Sequence, residues 1–297
     1  MARRKAAIPA CGLGSESVTP YLPVYDVEYL GDVEYSLRAL ESVVKVHRRL
    51  RAPATFCICG GLLDQAGPRY AELLRDEMFD VHSHTYSHMR LKPTDDCAER
   101  VDLRQARDEI ERTAALLAQH LAVTNPGLRT PGGFYRGLRG AKELLSLLVE
   151  LGVPFVSSDA RGPQETVPSP LTEPYWYDED GFPGLLELPA QDWHENVLKG
   201  HNPVPCMWPP VLPWGYPNRP PQTPQEEFEV YRKSLHGVRG LNLTYYSPPM
   251  HPWSIYRFNP QARTVELILE KVESLGMPIT TFSAVHRELR ARREAPP

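Results

Sequence analysis

Hydrophobic residues along the chain recur with two spacings, one typical of buried strands and the other of amphipathic helices. Short apolar, β-prone runs predict strands at residues 21–27, 54–59, 79–84, 127–130, 154–158, 185–189, 241–250 and 278–281. Apolar residues at helical spacing predict helices at residues 33–50, 68–77, 95–121, 138–151, 263–275 and 282–293. Because about seven strand–helix units follow one another, the pattern indicates an α/β fold, a β/α barrel with a parallel core.

The segment 190–240 breaks this alternation. It is rich in proline and contains Trp193, Trp208 and Trp214. An insertion of about fifty residues is too long for a routine connection, and loops of that length are usually functional or disordered. Since tryptophans disfavour disorder, we expect a loop that walls the active site, in preference to a structural or oligomer-forming role.

Composition narrows the classes of function. The chain has 297 residues, 41% of them hydrophobic and 24% charged, as in ordinary globular proteins. A formal net charge of −4 predicts no nucleic-acid partner, and no apolar run approaches the roughly 18 residues of a membrane span. The first residues lack the apolar stretch of a signal peptide. Five cysteines without a repeating framework predict reduced thiols and a cytoplasmic location, with Cys57 and Cys59 buried.

Two acidic residues lie at the end of the first predicted strand. Because successive strand side chains point to opposite faces, Asp26 and Glu28 project the same way. Burying two carboxylates together is costly without a cation. Taken alone, the pair also fits a polar strand end that meets a loop, so its interpretation depends on what else the sequence brings nearby.

A cluster of histidines follows the third predicted strand, in the segment His82-Ser83-His84-Thr85-Tyr86-Ser87-His88. His84 and His88 are four residues apart, so on a helical turn both imidazoles would face one side, a spacing suited to one metal ion. His82 would point elsewhere if the strand continues through it. Two neutral imidazoles and one carboxylate leave positions open for water, which is the arrangement of a catalytic metal site.

The order of these motifs resembles that of the polysaccharide deacetylase (NodB-homology) family, the carbohydrate esterase 4-like proteins. Members have an Asp-containing strand end, then His-Thr/Ser-x-x-His, Arg-x-Pro, an Asp-Trp element and a late His. The corresponding segments here are Tyr25-Asp26-Val27-Glu28, His84-Thr85-Tyr86-Ser87-His88, Arg129-Thr130-Pro131-Gly132-Gly133, Asp192-Trp193 and His251-Pro252. The branch that the chain resembles most includes peptidoglycan deacetylase-like and cyclic amide hydrolase-like members.

The resemblance covers nearly the whole chain and implies a distorted (β/α)7-type barrel in a single domain. On this interpretation residues 1–20 are an N-terminal extension and residues 290–297 a basic C-terminal tail. Residues 21–289 form the catalytic domain, with residues 190–240 as an insertion beside the site. The implied activity is metal-dependent hydrolysis of a carbon–nitrogen bond other than a peptide bond.

The resemblance also implies which residues hold the metal. Glu28, His84 and His88 would bind one divalent ion, and Asp26 would act as the general base. Zinc is the expected ion, although the same donors also suit cobalt, nickel or iron. The common family pattern has two adjacent aspartates, whereas here Val27 separates Asp26 from Glu28. The exchange of roles between these two carboxylates therefore stays open.

The remaining motif residues receive supporting roles. Arg129 would orient Asp26 through a charged hydrogen bond. His251 would protonate the leaving nitrogen, with Asp192 as its carboxylate partner and Asp159 as the competing candidate. Groups expected to contact the substrate are the backbone of the glycine loop and three aromatic rings: Gly132, Gly133, Phe134, Trp193 and Trp253.

The substrate expected from these arguments is an amino sugar or a short oligosaccharide that loses its N-acetyl group. A cytoplasmic location disfavours assembled cell-wall polymer. Three alternatives stay open: a hydrolase of a small cyclic amide, imide or ureide on the same fold, a catalytically inactive carbohydrate-binding relative, and an amidohydrolase-type metal barrel that uses His82 and His84. The sequence does not predict an oligomeric state.

Overall fold

The computed structural model describes residues 18–29, 31–93, 101–202 and 211–295. Within them one sheet contains eight strands: β1 (Val24–Val27), β2 (Ala54–Ile58), β3 (Phe79–Ser83), β4 (Leu128–Tyr135), β5 (Phe155–Arg161), β6 (Tyr175–Tyr177), β7 (Phe182–Glu187) and β8 (Pro249–Met250). Their order across the sheet is β6-β7-β5-β4-β3-β2-β1-β8. Every pair of neighbours is parallel except the β6–β7 hairpin, which is antiparallel. The predicted parallel α/β architecture is therefore observed.

The helices connect the strands and cover the sheet. They are α1 (Val33–Leu50), α2 (Gly60–Leu74), α3 (Leu103–Leu121), α4 (Lys142–Glu150), α5 (Glu195–Leu198), α6 (Pro224–Val238), α7 (Pro252–Phe258), α8 (Arg263–Ser274) and α9 (Phe282–Glu294). No helix among the described residues is long and apolar enough to cross a bilayer.

Capping residues explain where several helices begin. The Asp32 carboxylate accepts a hydrogen bond from the backbone N–H of Tyr35 at 3.0 Å and starts α1. At the start of α3, Asp102 and Gln105 satisfy each other's backbone N–H groups in a capping box. Residues 94–100, which the sequence analysis included in this helix, lie outside the described residues.

The predicted and observed elements differ where local signals conflict with packing. Helix α1 has the predicted bounds. Helix α2 begins at Gly60, eight residues before the predicted start, because the buried side chains of its first turns keep it folded onto the core. It has a kink at Ala66. The predicted strand 241–250 shrinks to β8, with Tyr246 adding only an isolated bridge to Tyr21. The predicted strand 185–189 overlaps β7, whereas β6, its antiparallel pairing with β7 and helices α5 to α7 were not predicted.

The inside of the curved sheet is filled by side chains. Phe155 on β5 and Phe282 at the start of α9 pack edge to face with ring centroids 5.6 Å apart, in a buried cluster that also holds Cys57. Both Cys57 and Cys59 are buried free thiols, as predicted. Strands β6 and β8 are the sheet edges, so hydrogen bonds do not close the barrel among the described residues. Parallel strands place their carboxyl ends at one rim, where the functional side chains meet.

Candidate active site

A polar cavity opens at this rim. Its volume is about 50 Å³, and its lining comes from the ends of β1, β4 and β5, the loop after β3 and the segments around α5 and α7: Asp26, Glu28, His88, Arg129, Thr130, Gly132, Gly133, Arg161, His194, Asn196, Val197, Asn202 and His251. Four of these residues belong to the 190–240 segment. Trp208 of that segment lies outside the described residues. A larger cavity of about 570 Å³, near Leu103 and Lys142, contains none of the predicted site residues.

Three predicted metal ligands converge beside this cavity. The Oε2 atom of Glu28 lies 3.3 Å from Nε2 of His84 and 2.8 Å from Nε2 of His88. One donor atom from each residue lies within 4.8 Å of the others. Nε2 of His88 is buried, and its contact with the carboxylate is not aligned as a hydrogen bond. Three converging donors, one of them unsatisfied, fit a shared cation.

The ring of His84 is already oriented for coordination. Its Nδ1 lies 3.0 Å from the backbone carbonyl oxygen of Arg129. A carbonyl oxygen only accepts hydrogen bonds, so Nδ1 carries the proton and Nε2 keeps a free lone pair. This second hydrogen bond is the usual way in which a metal-binding imidazole is held. The residues present therefore fit a divalent ion.

The segment between the two histidines is a bent loop, and the predicted helical turn is wrong. Thr85 and His88 have left-handed backbone angles, with φ of 59° and 62°. The carboxylate of Glu109, on α3, accepts hydrogen bonds from the backbone N–H groups of Tyr86 and Ser87 at 2.8 and 2.7 Å. It also accepts one from Ser87 Oγ at 2.6 Å. Glu109 thus supplies the contacts that a helix would have satisfied internally, and the loop still directs both imidazoles to Glu28.

The second oxygen of Glu28 is held by Trp253. The indole Nε1 donates a hydrogen bond to Oε1 at 2.9 Å, which leaves Oε2 facing the histidines. Burial raises the pKa of Glu28, but the nearby charges of His251 and His88 outweigh burial and hold it well below its usual range. Glu28 is therefore held in its ionised form.

Asp26 lies next to the three metal-site residues. Arg129 Nε donates to its Oδ2 at 3.3 Å, and Arg129 is itself fixed by a 2.8 Å hydrogen bond to Ser157 Oγ. The other oxygen, Oδ1, is buried and has no hydrogen-bond partner among the described residues. The arrangement brings Arg129 and Asp26 together as predicted and leaves one carboxylate oxygen available to a ligand in the cavity.

His251 approaches the same place from the end of β8. Its Nε2 lies 3.8 Å from Asp26 Oδ2 and 3.9 Å from Glu28 Oε1. Its Nδ1 lies 3.0 Å from Glu195 Oε1, which also accepts the His251 backbone N–H at 2.7 Å. Burial lowers the pKa of His251, but the carboxylates of Glu28, Glu195 and Asp26 raise it to about 9. The imidazole is therefore held between carboxylates, with Nε2 towards the site.

The carboxylate that pairs with His251 is thus Glu195, which corrects the prediction of Asp192. Asp192 is fully buried elsewhere, where it accepts short hydrogen bonds from Tyr246 Oη and its neighbour's backbone N–H. The competing candidate, Asp159, accepts from Tyr175 Oη at 3.3 Å, and burial together with Glu187 raises its pKa to about 7. Each aspartate is thus hydrogen-bonded to groups other than His251.

Glu195 is in turn held by a buried ion-pair chain. Its Oε2 lies 2.7 Å from Lys199 Nζ and accepts from Ser254 Oγ at 2.8 Å. Lys199 also lies 3.0 Å from Glu227 on α6, and its side chain is fully buried. Burial raises the pKa of Glu195, but Lys199 and His251 lower it to about 2. Helix α6 is thereby tied to the ion pair behind His251.

The predicted substrate-binding residues divide into two groups. Gly132 and Gly133 line the cavity with φ of 76° and 61°, and a Cβ on Gly133 would lie only 2.5 Å from that of Ala160. Phe134 and Trp193 are buried core residues, at 0% and 5% exposure, which corrects their predicted contact with substrate. Their rings fill space between strands and helices instead.

Several residues at the site escaped the sequence analysis. Glu109 and Glu227 lie on helices whose charged residues mostly face solvent, so no local signal separated them. Lys199 is the residue that ends the short helix α5. Glu195 stands three residues after Asp192 and four before Lys199, a spacing that places Glu195 and Lys199 on one face of a helical turn. That spacing is the signal that could have identified it.

Comparisons with known proteins agree with this fold. Residues 32–155 match the family model described as polysaccharide deacetylase. No curated protein matches the chain in sequence. A Mycobacterium smegmatis protein described provisionally as a polysaccharide deacetylase superposes with a TM-score of 0.64 at 17% identity, over 97% of this chain and 96% of that one.

Two further solved structures share the fold. A mutant of the peptidoglycan deacetylase PdaC from Bacillus subtilis has a TM-score of 0.53 at 12% identity, over 95% of this chain and 96% of its own. A CE4 family pseudoenzyme from Bacillus anthracis has a TM-score of 0.54 at 11% identity, over 91% of this chain and 66% of its own. The fold is therefore shared by deacetylases and by a relative described as a pseudoenzyme. The predicted resemblance is confirmed: the chain has the polysaccharide deacetylase signature in residues 32–155 and the CE4 deacetylase fold over nearly its whole length.

Proposed function

We propose that this protein is a metal-dependent deacetylase that hydrolyses the N-acetyl group of an amino sugar or a short oligosaccharide. One observation carries the proposal. Three metal-type donors, a carboxylate oxygen that has no hydrogen-bond partner among the described residues, and an imidazole nitrogen converge at or beside one cavity. They come from Glu28, His84, His88, Asp26 and His251. Amide hydrolysis needs these components together.

Glu28, His84 and His88 would hold the ion. A divalent ion supplies Lewis-acid polarisation of an acyl oxygen and lowers the pKa of water. Glu28 is ionised, and the Nε2 lone pair of His84 is free, so neither needs to reorganise before binding. Zinc is our expectation for the ion, from two imidazoles and a carboxylate.

Asp26 would be the general base. Asp26 lines the cavity, its Oδ1 atom has no hydrogen-bond partner among the described residues, and its Oδ2 atom is anchored by Arg129. A carboxylate fixed through one oxygen presents the other in a constant direction, which favours removal of a proton from water. Arg129 would support this role by holding Asp26 in position.

His251 would protonate the leaving nitrogen. Glu195 holds its Nδ1, so Nε2 is the nitrogen directed at the cavity and at Asp26. An imidazole fixed by a carboxylate keeps one orientation, as a proton donor to a departing amine requires. The backbone of Gly132 and Gly133, which lines the same cavity, would help to stabilise negative charge on the acyl oxygen.

The cavity size supports an acyl group as the enclosed part of the substrate. A volume of about 50 Å³ is far below the roughly 300–1,000 Å³ of pockets that enclose a whole ligand. It is several times the space of roughly 10–15 Å³ that one water molecule needs. The acetyl group would enter the cavity, and the sugar would remain at its mouth.

Acetate release by the metal-loaded protein tests the proposal. Purified protein, supplied with zinc or cobalt, is incubated with N-acetylglucosamine, chitin oligomers, peptidoglycan fragments and cyclic imides. We expect acetate from at least one sugar, and none from the Asp26→Asn variant. Ring opening of an imide without any acetate release would instead assign the cyclic amide reaction. A protein that binds metal and releases no product from any substrate would contradict catalysis.

A further inference from the structure

Several large apolar side chains that lie close in sequence to site residues are exposed. Among the described residues six such side chains are exposed, and three of them adjoin site residues. Tyr29 directly follows Glu28, Met89 directly follows His88, and Tyr135 lies two residues after Gly133, with exposures of 39%, 39% and 38%. Of these three, Tyr29 has ring contacts that connect it to the metal-site residue Glu28, through Trp253.

The side chain of Tyr29 belongs to a connected group of aromatic rings. Its ring centroid lies 6.1 Å from that of Trp253, with 34° between the planes, and 5.1 Å from that of Tyr35. Tyr35 Oη donates to the backbone carbonyl of Trp253 at 3.0 Å. The Trp253 indole is fixed at its other end by the hydrogen bond to Glu28. Tyr29 and Trp253 therefore form a positioned pair of rings that begins at a metal ligand.

We propose that Tyr29 and Trp253 form a carbohydrate subsite, which receives the sugar ring next to the one that is deacetylated. The inference rests on the proposed function and makes the substrate an oligosaccharide of at least two sugar units. The cavity holds only an acyl group, so the rings of the substrate lie against its rim. A monosaccharide or a small cyclic amide would fill the mouth without covering Tyr29.

The chemistry of the two side chains suits a sugar ring. A pyranose has an apolar face of C–H groups and an edge of hydroxyls, and tyrosine and tryptophan combine an apolar ring with a polar atom. Such rings lose little conformational freedom on binding, because each has only two side-chain torsions. The packing between α1 and α7 does not require Tyr29, since Tyr35 and Tyr256 already meet edge to face at 5.4 Å.

Substrate length separates this role from a structural one. Acetate release is measured with N-acetylglucosamine and with tri-N-acetylchitotriose for wild type, Tyr29→Ala, Tyr29→Phe and Tyr256→Ala. For Tyr29→Ala we expect the ratio of kcat/KM for the trisaccharide to that for the monosaccharide to fall at least tenfold. Tyr29→Phe keeps the ring and should restore most of that ratio. Tyr256→Ala, in the same aromatic group, should leave it unchanged.

A binding measurement keeps the inference separate from the proposed function. Calorimetry with the metal-loaded Asp26→Asn variant and tri-N-acetylchitotriose requires no turnover, and adding Tyr29→Ala should weaken binding about tenfold. If wild type releases no acetate but this difference in binding is found, the subsite stands and the proposed function fails. The subsite would be overturned if Tyr29→Ala lost activity equally on both substrates, so that the ratio of kcat/KM stayed unchanged. It would also be overturned if Tyr29→Phe were as impaired as Tyr29→Ala.

Discussion

The carboxylate of Glu195 holds His251 at two points, through Nδ1 at 3.0 Å and through the backbone N–H at 2.7 Å. The two residues are 56 positions apart, yet the contact sets which imidazole nitrogen is directed at the cavity. The other oxygen of Glu195 is occupied by Lys199 and Ser254. The orientation of His251 therefore depends on an ion pair that is hidden from solvent.

Replacement of Glu195 should reduce turnover without emptying the metal site. Glu195→Gln keeps the size of the side chain but removes the charge that stabilises a protonated His251, and its amide N–H group would oppose Lys199. Removing a supporting carboxylate of this kind costs about 10- to 100-fold in activity. Steady-state kinetics and elemental analysis provide the check.

The matched comparison for that variant is Asp192→Asn. Asp192 is buried but contacts Tyr246 rather than His251. The Asp192→Asn variant should be less stable than wild type, but its kcat per folded molecule should stay close to the wild-type value. If Asp192→Asn abolished kcat while Glu195→Gln did not, Glu195 would lose its assigned role.

Metal content should depend on His88. His88→Ala removes one of the three converging donors, so both bound zinc and activity should fall together. Elemental analysis of the dialysed protein measures the loss. His82→Ala is the control, because His82 belongs to the same segment but contacts Asp80, 3.0 Å away. Full metal occupancy in His88→Ala would refute the ligand assignment.

Unlike His88→Ala, the Asp26→Asn variant should lose activity but keep its metal. A base that is not a ligand can be neutralised without emptying the site, and loss of base catalysis costs about 10²- to 10⁴-fold in rate. The variant should therefore retain zinc and lose turnover. Loss of zinc together with activity would show that Asp26 is a ligand and that its role is exchanged with that of Glu28.

Substitution of Glu109 should alter the loop that carries His88. Glu109→Gln replaces one accepting oxygen with an N–H group, so it cannot accept all three hydrogen bonds from Tyr86 and Ser87. We expect metal affinity to weaken about 10- to 100-fold, as for other groups that orient a ligand. Competition with a chromogenic chelator measures the affinity. Glu111→Gln, at an exposed position on the same helix, should leave it unchanged.

Stability at low pH should depend on Asp80. Burial raises its pKa, but His82 and hydrogen bonds from Ser283 outweigh burial and lower it from 3.8 to about 2. A carboxyl whose pKa is lowered by folding stabilises the protein above its unfolded pKa, and the contribution disappears as pH falls through the folded value. The difference of nearly two units corresponds to about 2 kcal/mol of unfolding free energy at neutral pH.

Asp80→Asn should therefore lower the free energy of urea-induced unfolding at pH 7 by about this amount. The gap between variant and wild type should narrow as the pH falls from about 5 towards 2. Asp76→Asn is a suitable control, because that side chain is partly exposed in its pair with Arg48. A gap that stays constant over this range would contradict the assigned ionisation.

Local pattern determined much of the architecture of this protein. Helix α1 has its predicted bounds because its apolar spacing and its capping residue Asp32 are both local. Strand alternation is equally local, and it predicted that Asp26 and Glu28 project the same way. The order of the motifs predicted the resemblance to polysaccharide deacetylases and the fold that the chain shares with them.

Only the tertiary structure decided which groups support those motifs. Glu195 holds His251, which lies 56 positions away in the chain. Glu109 holds the loop that carries His88 through Tyr86 and Ser87, which lie 23 and 22 positions away. Phe134 and Trp193 face the core because packing of the strands and helices encloses them, although sequence alone allowed either side. The spacing of residues along one helix or strand determines which side chains lie on the same face. Which residue each side chain contacts depends on how separate helices and strands pack together.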